Sequence, residues 1–314
     1  MRMEGYGRTW VKLSKKDSNI LRGWSLIIIC MSHIVPQLGI WGRIILPSNI
    51  AIFVFSSGYG LVLSYKQKGS KYLDGFLKKK VFVKIFLPYF VISSLFIVMK
   101  GIIKRGILAT DFYVFHNWYV EFTLFVYISF YFIWKLCKTT LMRMVGVGGV
   151  SCLYVALCLQ IGLTSTWYQG ILVLWFGMLV PLFDGVKVEQ FIQKNRAWLL
   201  SFSILLMGVM NFLTFSVIHF PLSGTIGAEG VCLFTVTSMI LIMPLFSDRV
   251  KNIRFLLEWL GRNSYYCYLL HIPICRVLAM WIKNEWIQYI FTMLVTTGVI
   301  MSINKGKKLL AHHT

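Results

Sequence analysis

Acidic residues are scarce in this chain of 314 residues: 11 Asp and Glu stand against 32 Lys and Arg, which gives a formal net charge of +21. Charged residues of both signs make up only 14% of the chain, hydrophobic residues make up 57%, and the mean hydropathy is +0.71. So little charge with so much apolar surface is typical of polytopic membrane proteins. We therefore expect an all-α membrane protein.

Several chemical signatures are missing as well. The seven cysteines form no close pair with metal-ligand spacing and lie in or beside apolar runs, which favours small buried thiols over metal ligands. The sequence has no phosphate-binding glycine loop, no nucleophile elbow and no internal repeat of the kind that marks many secondary transporters. We expect no metal and no bound cofactor.

Long apolar runs recur along the chain, each near the roughly 20 residues that cross a bilayer core. The ten runs are 22–41, 46–65, 85–103, 118–136, 144–162, 168–185, 198–218, 226–246, 262–282 and 286–303. Because the connecting segments are short, we expect one polytopic membrane domain over residues 1–314, with no appended soluble domain. The polar stretch before the first run carries no signal-peptide cleavage site.

The basic residues are unevenly distributed among the connecting segments. With ten spans and a cytoplasmic N-terminus, 26 of the 32 Lys and Arg fall on the cytoplasmic side. This asymmetry follows the positive-inside rule and predicts that both termini are cytoplasmic. No basic patch alternates with aromatic residues as in a base-stacking surface, so we expect a lipid bilayer and no nucleic acid as partner.

The first run, LRGWSLIIICMSHIVPQ, contains two ionisable side chains, Arg22 and His33. Eleven residues at 100° each return to within about 20° of the starting direction, so both side chains share one helix face, roughly 16 Å apart along the axis. A histidine here can be a core residue that hydrogen-bonds a neighbouring helix. Because titratable groups inside membrane spans are costly, we favour a functional role for His33.

A cluster of seven lysines lies in the segment YKQKGSKYLDGFLKKKVFVKIFLPYF, residues 65–90. Lys80 and Lys84 stand one helical turn apart, ahead of Pro88. The cluster has two open explanations: it holds the loop in the cytoplasm, or it forms a site that attracts a phosphate-bearing ligand.

Two further polar stretches interrupt the apolar runs. In FHNWYVEFTLFVY, His116 and Trp118 are candidate interfacial anchors, and Glu121 is an acid just inside the run. In LGRNSYYCYLLHIPI, three polar residues at i, i+4 and i+7 share one helix face, where they can bind neighbouring helices or a substrate: Ser264, Tyr268 and His271. Glu229, at the start of the eighth run and near its expected outer end, is a further candidate acid with no motif around it.

These stretches, in this order, resemble the acyltransferase-3 family of integral membrane O-acyltransferases, and the resemblance extends over the whole chain. The matching elements are Arg22-x10-His33, the Ser57-Gly58-Tyr59 turn in FVFSSGYGL, the basic helix with Lys80 and Lys84 ending in Pro88-Tyr89, the His116-x-Trp118-Tyr119 start of the fourth run, and Gly261-x-x-Ser264-Tyr265-x-x-Tyr268-Leu269-x-His271. Lysines at i and i+4 stand here where the family usually has arginines at i and i+3.

The resemblance implies a membrane-bound O-acyltransferase in a bacterial plasma membrane. Its co-substrate would be cytoplasmic acyl-CoA, with acetyl the family default, and its acceptor a hydroxyl of a cell-surface or lipid-linked carbohydrate. Arg22, Lys80 and Lys84 would hold CoA phosphates, and His33, with a reference pKa of ~6.5, would act as general base. The remaining candidates would line the acceptor side or support the site: His116, Trp118, Glu121, Ser264, Tyr268 and His271.

Two alternatives from other classes remain at this point. A ten-helix bundle lined with histidines also suits an exporter or transporter of a polysaccharide or small solute. A non-catalytic assembly partner for a glycan synthase is the other alternative, and glycan-synthesis or export proteins are also expected partners of the enzyme. Consumption of acyl-CoA separates the enzyme from both.

Overall fold

The computed structural model describes residues 13–35, 39–104, 117–164, 167–168, 170–182, 186–215, 223–242 and 251–312. Every regular element in these ranges is helical, in agreement with the expected all-α class. The helices are α1 (Lys15–Ile34), α2 (Gly39–Lys68), α3 (Leu87–Lys104, which continues a π-helical segment, Leu77–Phe86), α4 (Trp118–Leu136), α5 (Thr140–Gln160), α6 (Ile171–Leu179), α7 (Val186–Lys194), α8 (Arg196–Phe215), α9 (Ser223–Ile242), α10 (Lys251–Arg262), α11 (Ser264–Leu278) and α12 (Glu285–His312).

Five helices in these ranges are long and apolar enough to cross a membrane: Leu77–Ile102, Trp118–Leu136, Thr140–Gln160, Arg196–Leu213 and Glu285–Gly306. Two shorter apolar helices are Ile171–Leu182 and Ile226–Ile242. Many of their large apolar side chains face outward, as on Ile102 and Leu136, each 74% exposed, where lipid would cover them. The protein is therefore a membrane protein, whereas the count of ten spans and the cytoplasmic termini stay predictions.

The first helix begins and ends elsewhere than the apolar run 22–41 indicates. Ser14 and Asp17 form a capping box: the Ser14 Oγ accepts a bond from the Asp17 amide at 3.1 Å, and the Asp17 carboxylate accepts one from the Ser14 amide at 3.2 Å. At the other end α1 stops at Ile34 because Val35 precedes a proline, which disfavours helical backbone; Val35 has φ −111° and ψ 82°. His33 consequently lies in the last turn of α1 rather than deep within a longer helix.

Two short helices, α7 and α10, were not predicted, because they lie between the ten apolar runs. In α10 the positions of Arg254, Glu258 and Arg262 recur at helical spacing along one face, while Leu257 and Leu260 are buried. This helix crosses α1 at very close range. A Cβ atom built on Gly23 would overlap the Leu257 carbonyl oxygen, and one on Gly261 would overlap the Asn19 carbonyl oxygen. Small residues allow such backbone approach between membrane helices.

We expect Gly23→Ala to destabilise the protein by about 1–3 kcal/mol, because the added methyl group meets backbone that cannot rotate away. The measurement is the thermal midpoint of the purified protein in detergent. Gly60→Ala is the matched control: Gly60 also lies inside a helix, and a Cβ there meets nothing within 4 Å. Equal midpoints for the two variants would show that the α1–α10 contact does not depend on Gly23.

Candidate functional site

Two histidines from separate helices come together near the end of α1. The rings of His33 in α1 and His271 in α11 have centroids 5.5 Å apart and planes tilted by 39°. His33 is exposed, whereas His271 is fully buried, at 0% exposure. One imidazole of the pair is thus open to an incoming group and the other is enclosed by the helices.

The hydrogen bonds of His271 define its tautomer. Its Nδ1 lies 2.7 Å from the Tyr268 carbonyl oxygen and 3.3 Å from that of Cys267. Because a carbonyl oxygen only accepts, Nδ1 carries the hydrogen, and the neutral ring keeps its lone pair on Nε2. This buried Nε2 has no hydrogen-bond partner in the described part of the chain.

A chain of aromatic and polar contacts connects this pair to the start of α4. The Tyr268 ring lies 5.5 Å from the His271 ring and 4.7 Å from the Tyr119 ring, centroid to centroid. The Tyr268 hydroxyl donates to the Asn117 Oδ1 at 3.3 Å, and the same oxygen caps α4 by accepting from the Val120 amide at 3.2 Å. Tyr268 therefore joins α11 to the first turn of α4.

Arg22 lies about three helical turns before His33 and is half-buried. Its guanidinium donates to the Asn19 side-chain oxygen at 2.5 Å, while its Nε donates to the Ser18 carbonyl at 3.4 Å. The phenols of Tyr127 and Tyr119 interact with it electrostatically. Since the oxygens it bonds are neutral, the positive charge of Arg22 stays available to an anion.

A small cavity lies among α2, α4 and α6, and it has room for about one water molecule. Its wall is partly apolar and includes four hydroxyl-bearing side chains: Ser57, Tyr119, Thr123 and Tyr127. A hydrogen bond joins the side chains of Ser57 and Tyr127. The neighbouring Gly58 serves packing, because a Cβ there would come 2.6 Å from the Leu174 carbonyl oxygen of α6.

Lys80 and Lys84 lie on the π-helical segment Leu77–Phe86. Ten residues of π-helix is an unusual length, since such backbone mostly appears as single-turn bulges and often at functional sites. Lys80 is half-buried with its Nζ 5.8 Å from the centre of the Tyr72 ring, and it interacts electrostatically with Lys84, Lys68 and Lys15. Neither lysine takes part in the ion pairs of the described residues, Arg254–Asp17 and Arg262–Glu258.

The other predicted residues that the structure describes lie on two helices, α4 and α11. Trp118 and Glu121 occupy the first turn of α4, both partly buried, while His116 lies outside the described residues. Ser264 is buried at the first turn of α11, one end of the face that also carries Tyr268 and His271. The structure therefore brings Tyr268, His271 and His33 together and leaves Ser264 about two turns away along the helix.

Glu229 forms hydrogen bonds to the backbone at the start of another helix, α6. Its carboxylate accepts bonds from the backbone amides of Gly170, Ile171 and Leu172 at 2.6, 3.3 and 3.2 Å. These are the free amides at the start of α6, where negative charge is stabilised by the helix dipole. Gly170 has a φ of 90°, which an L side chain adopts only with strain. The Glu229 carboxylate therefore caps the start of α6 and is not one of the groups that contact the histidine pair.

Metal-ligand geometry is absent from the part of the chain that the structure describes. No group of three or more His, Cys, Asp and Glu side chains there is arranged to hold a metal ion. The seven cysteines are all free, and four of them are buried: Cys30, Cys158, Cys232 and Cys267.

Sequence patterns alone missed three contributors to the site: Asn19, which holds the Arg22 guanidinium, Asn117, which links Tyr268 to α4, and Lys15, which joins the lysine cluster. Asn19 had a readable signal, because it stands three residues before Arg22 on the same helix face. The other two lie on different elements from their partners, and no spacing in the sequence connects them.

Comparison with known proteins gives one match. A family model described as an acyltransferase domain, Acyl_transf_3, matches residues 16–305, nearly the whole chain. No curated protein and no solved structure matches the chain. The match includes α1, the π-helical segment, α4 and α11, the elements that carry the residues described above.

Proposed function

Because the chain belongs to the acyltransferase-3 family, we propose that it transfers an acyl group from cytoplasmic acyl-CoA to a hydroxyl of a cell-surface or lipid-linked carbohydrate. Family membership establishes acyltransferase character and a membrane setting; the donor, the acceptor and the catalytic residues are the proposal. Acetyl is the acyl group we propose. A bacterial plasma membrane is the setting in which such carbohydrates meet cytoplasmic acyl-CoA.

One observation carries the proposal. Helix α1 carries the guanidinium of Arg22, whose charge is available to an anion, and eleven residues further on it carries the exposed imidazole of His33, which is paired with the buried imidazole of His271. Arg22 and His33 lie roughly 16 Å apart along the helix. An extended pantetheine arm is of the same order of length. A CoA whose phosphates bind at Arg22 would therefore present its thioester near His33.

At that point His33 is the proposed general base. Its ring removes the proton from the acceptor hydroxyl while the oxygen attacks the thioester carbonyl. The tetrahedral intermediate then collapses and the carbon–sulfur bond breaks. His33 gives the proton back to the departing sulfur, so that CoA leaves as the free thiol. The exposure of His33 supports this role, because the base must reach an external hydroxyl.

The donor phosphates would bind Arg22 together with the lysine cluster. Four lysines from three elements meet near Lys80, a concentration of positive charge that needs counter-ions. Lysine binds phosphate as a point charge, whereas the guanidinium of Arg22 can make two directed bonds. Arg22 is therefore the main proposed contact, with Lys80 and Lys84 assisting it.

The acceptor carbohydrate would approach the exposed side of His33. Trp118 and Glu121 in the first turn of α4 are the proposed acceptor-side residues, with His116 preceding them in the chain. Tyr268 supports the histidine pair through its contacts, and Ser264 lies further along the same face. Proteins that synthesise or export the glycan are the proposed partners.

The test is release of free CoA by the purified protein in detergent, supplied with acetyl-CoA and candidate glycan acceptors. We expect acceptor-dependent CoA release together with an acetylated glycan of matching mass. An exporter or an assembly partner consumes no acetyl-CoA under these conditions. Absence of consumption with glycan extracted from the source membrane would therefore favour an exporter or an assembly partner over the enzyme.

A further inference from the structure

His271 has an unusual position for a buried polar residue. Its Nδ1–H is bonded to the Tyr268 carbonyl at 2.7 Å, and its Nε2 is enclosed with no hydrogen-bond partner among the described residues. Buried acceptors are nearly always paired, because an unpaired one loses its bond to water on folding and gains nothing in return. A partner is therefore expected for this nitrogen.

The imidazole of His33 is placed to be that partner. The ring centroids are 5.5 Å apart, a separation at which facing ring nitrogens come within hydrogen-bond reach. His33 is exposed and lies in the last turn of α1, so its ring can turn toward α11, whereas His271 is fixed by its own bond to the backbone. The fixed ring can thus orient the movable one.

We propose that His271 is the positioning residue of the base: its Nε2 accepts a hydrogen bond from one ring N–H of His33. This bond sets the tautomer of His33, so that the other ring nitrogen carries the lone pair that meets the acceptor hydroxyl. It also stabilises the imidazolium that His33 becomes when it takes the proton. The proposal rests on the proposed role of His33 as general base.

The arrangement follows the logic of a nucleophile–histidine–carboxylate triad in which a neutral imidazole, that of His271, replaces the carboxylate as the third member. In such triads the third group orients the histidine and stabilises its charged form without taking the proton itself. A neutral acceptor suits a helix interior, where a second ionised group would be costly. The Tyr268 carbonyl completes the sequence by fixing the ring of His271.

Two substitutions of His271 test the roles of its two ring nitrogens separately. In His271→Asn the side-chain amide keeps a donor where Nδ1 bonds the Tyr268 carbonyl, but nothing occupies the position of Nε2. In His271→Gln the side-chain oxygen reaches the position of Nε2 and keeps an acceptor for His33, while the Nδ1 donor is lost. Each variant therefore removes one bond and keeps the other.

The first readout is acetyl-CoA turnover by the full-length protein, normalised to monodisperse protein. We expect His271→Asn to lower kcat about ten- to a hundredfold, the range of a lost bond to a charged group, with an unchanged KM for acetyl-CoA. His271→Gln should keep at least three times the kcat of His271→Asn. A purely structural role predicts the reverse order, since the structural bond is the one that Asn preserves. That order, or equal losses in both variants, would overturn the proposal.

The second readout does not depend on the proposed reaction. Diethyl pyrocarbonate acylates the unprotonated nitrogen of an imidazole, and peptide mass spectrometry reports its rate at His33. We expect slower labelling of His33 in His271→Asn than in the parent and in His271→Gln. Equal labelling rates in all three proteins would overturn the proposal. If the parent consumes no acetyl-CoA, the proposed function fails while this readout still decides the role of His271.

Discussion

His33→Ala should lower acetyl-CoA turnover by about 10²–10⁴-fold at saturating donor, the usual contribution of a positioned acid–base group. The protein should still insert and fold, because the His33 side chain is exposed and takes no part in the core. Turnover is measured as CoA release per mole of monodisperse protein. Activity within about threefold of the parent would remove His33 from the mechanism and make export the better reading.

Folding and catalysis must be separated in this experiment. A structural histidine would lower the yield of folded protein or its melting temperature, and the surviving molecules would turn over at the parental rate. Ser32→Ala is a useful control, since Ser32 precedes His33 in the same turn and its hydroxyl donates to the Ile29 carbonyl within the same helix, at 2.8 Å. We expect parental turnover from this variant.

Neutralising Arg22 should weaken the binding of the acyl-CoA donor and leave the chemical step nearly unchanged. We expect Arg22→Gln to raise the KM for acetyl-CoA about ten- to a hundredfold, because a charge-assisted phosphate contact contributes roughly 1.5–3 kcal/mol. The affinity for the acceptor and the kcat at saturating donor should change little. Lys80→Gln and Lys84→Gln should change the KM in the same direction by smaller factors.

The matched control for Arg22→Gln is Arg276→Gln, which removes the same charge from an exposed residue near the end of α11. Its KM for acetyl-CoA should equal that of the parent. A rise of the same size in both variants would mean that net charge, and not a site at Arg22, sets donor affinity. If Lys80→Gln and Lys84→Gln weaken the binding of donor and acceptor equally, the two lysines serve only to hold their segment in the cytoplasm.

The sequence predicted well what depends on single helices. The eleven-residue step from Arg22 to His33 and the seven-residue step from Ser264 to His271 determine which side chains share a face, because helix geometry is the same everywhere. The all-α class followed from apolar run lengths alone. These features need no knowledge of which helices touch.

Contacts between helices were beyond the sequence patterns. His33 and His271 are 238 positions apart, and no periodicity shows that their rings meet. Glu229 looked like a free acid because its partners, the amides that begin α6, belong to the backbone. The close crossing of α1 and α10 depends on Gly23 and Gly261, whose role is visible only where two backbones approach.

The central claim is that acyl-CoA on the cytoplasmic face is used by a base at the other end of α1. Its most direct test reconstitutes the purified protein in vesicles of known orientation, with glycan acceptor enclosed and acetyl-CoA supplied to one face at a time. We predict that acetyl groups reach the enclosed acceptor only when acetyl-CoA meets the face bearing residues 66–80, and that His33→Ala abolishes this transfer. Equal transfer from acetyl-CoA on either face, or transfer by His33→Ala at the parental rate, would contradict the account.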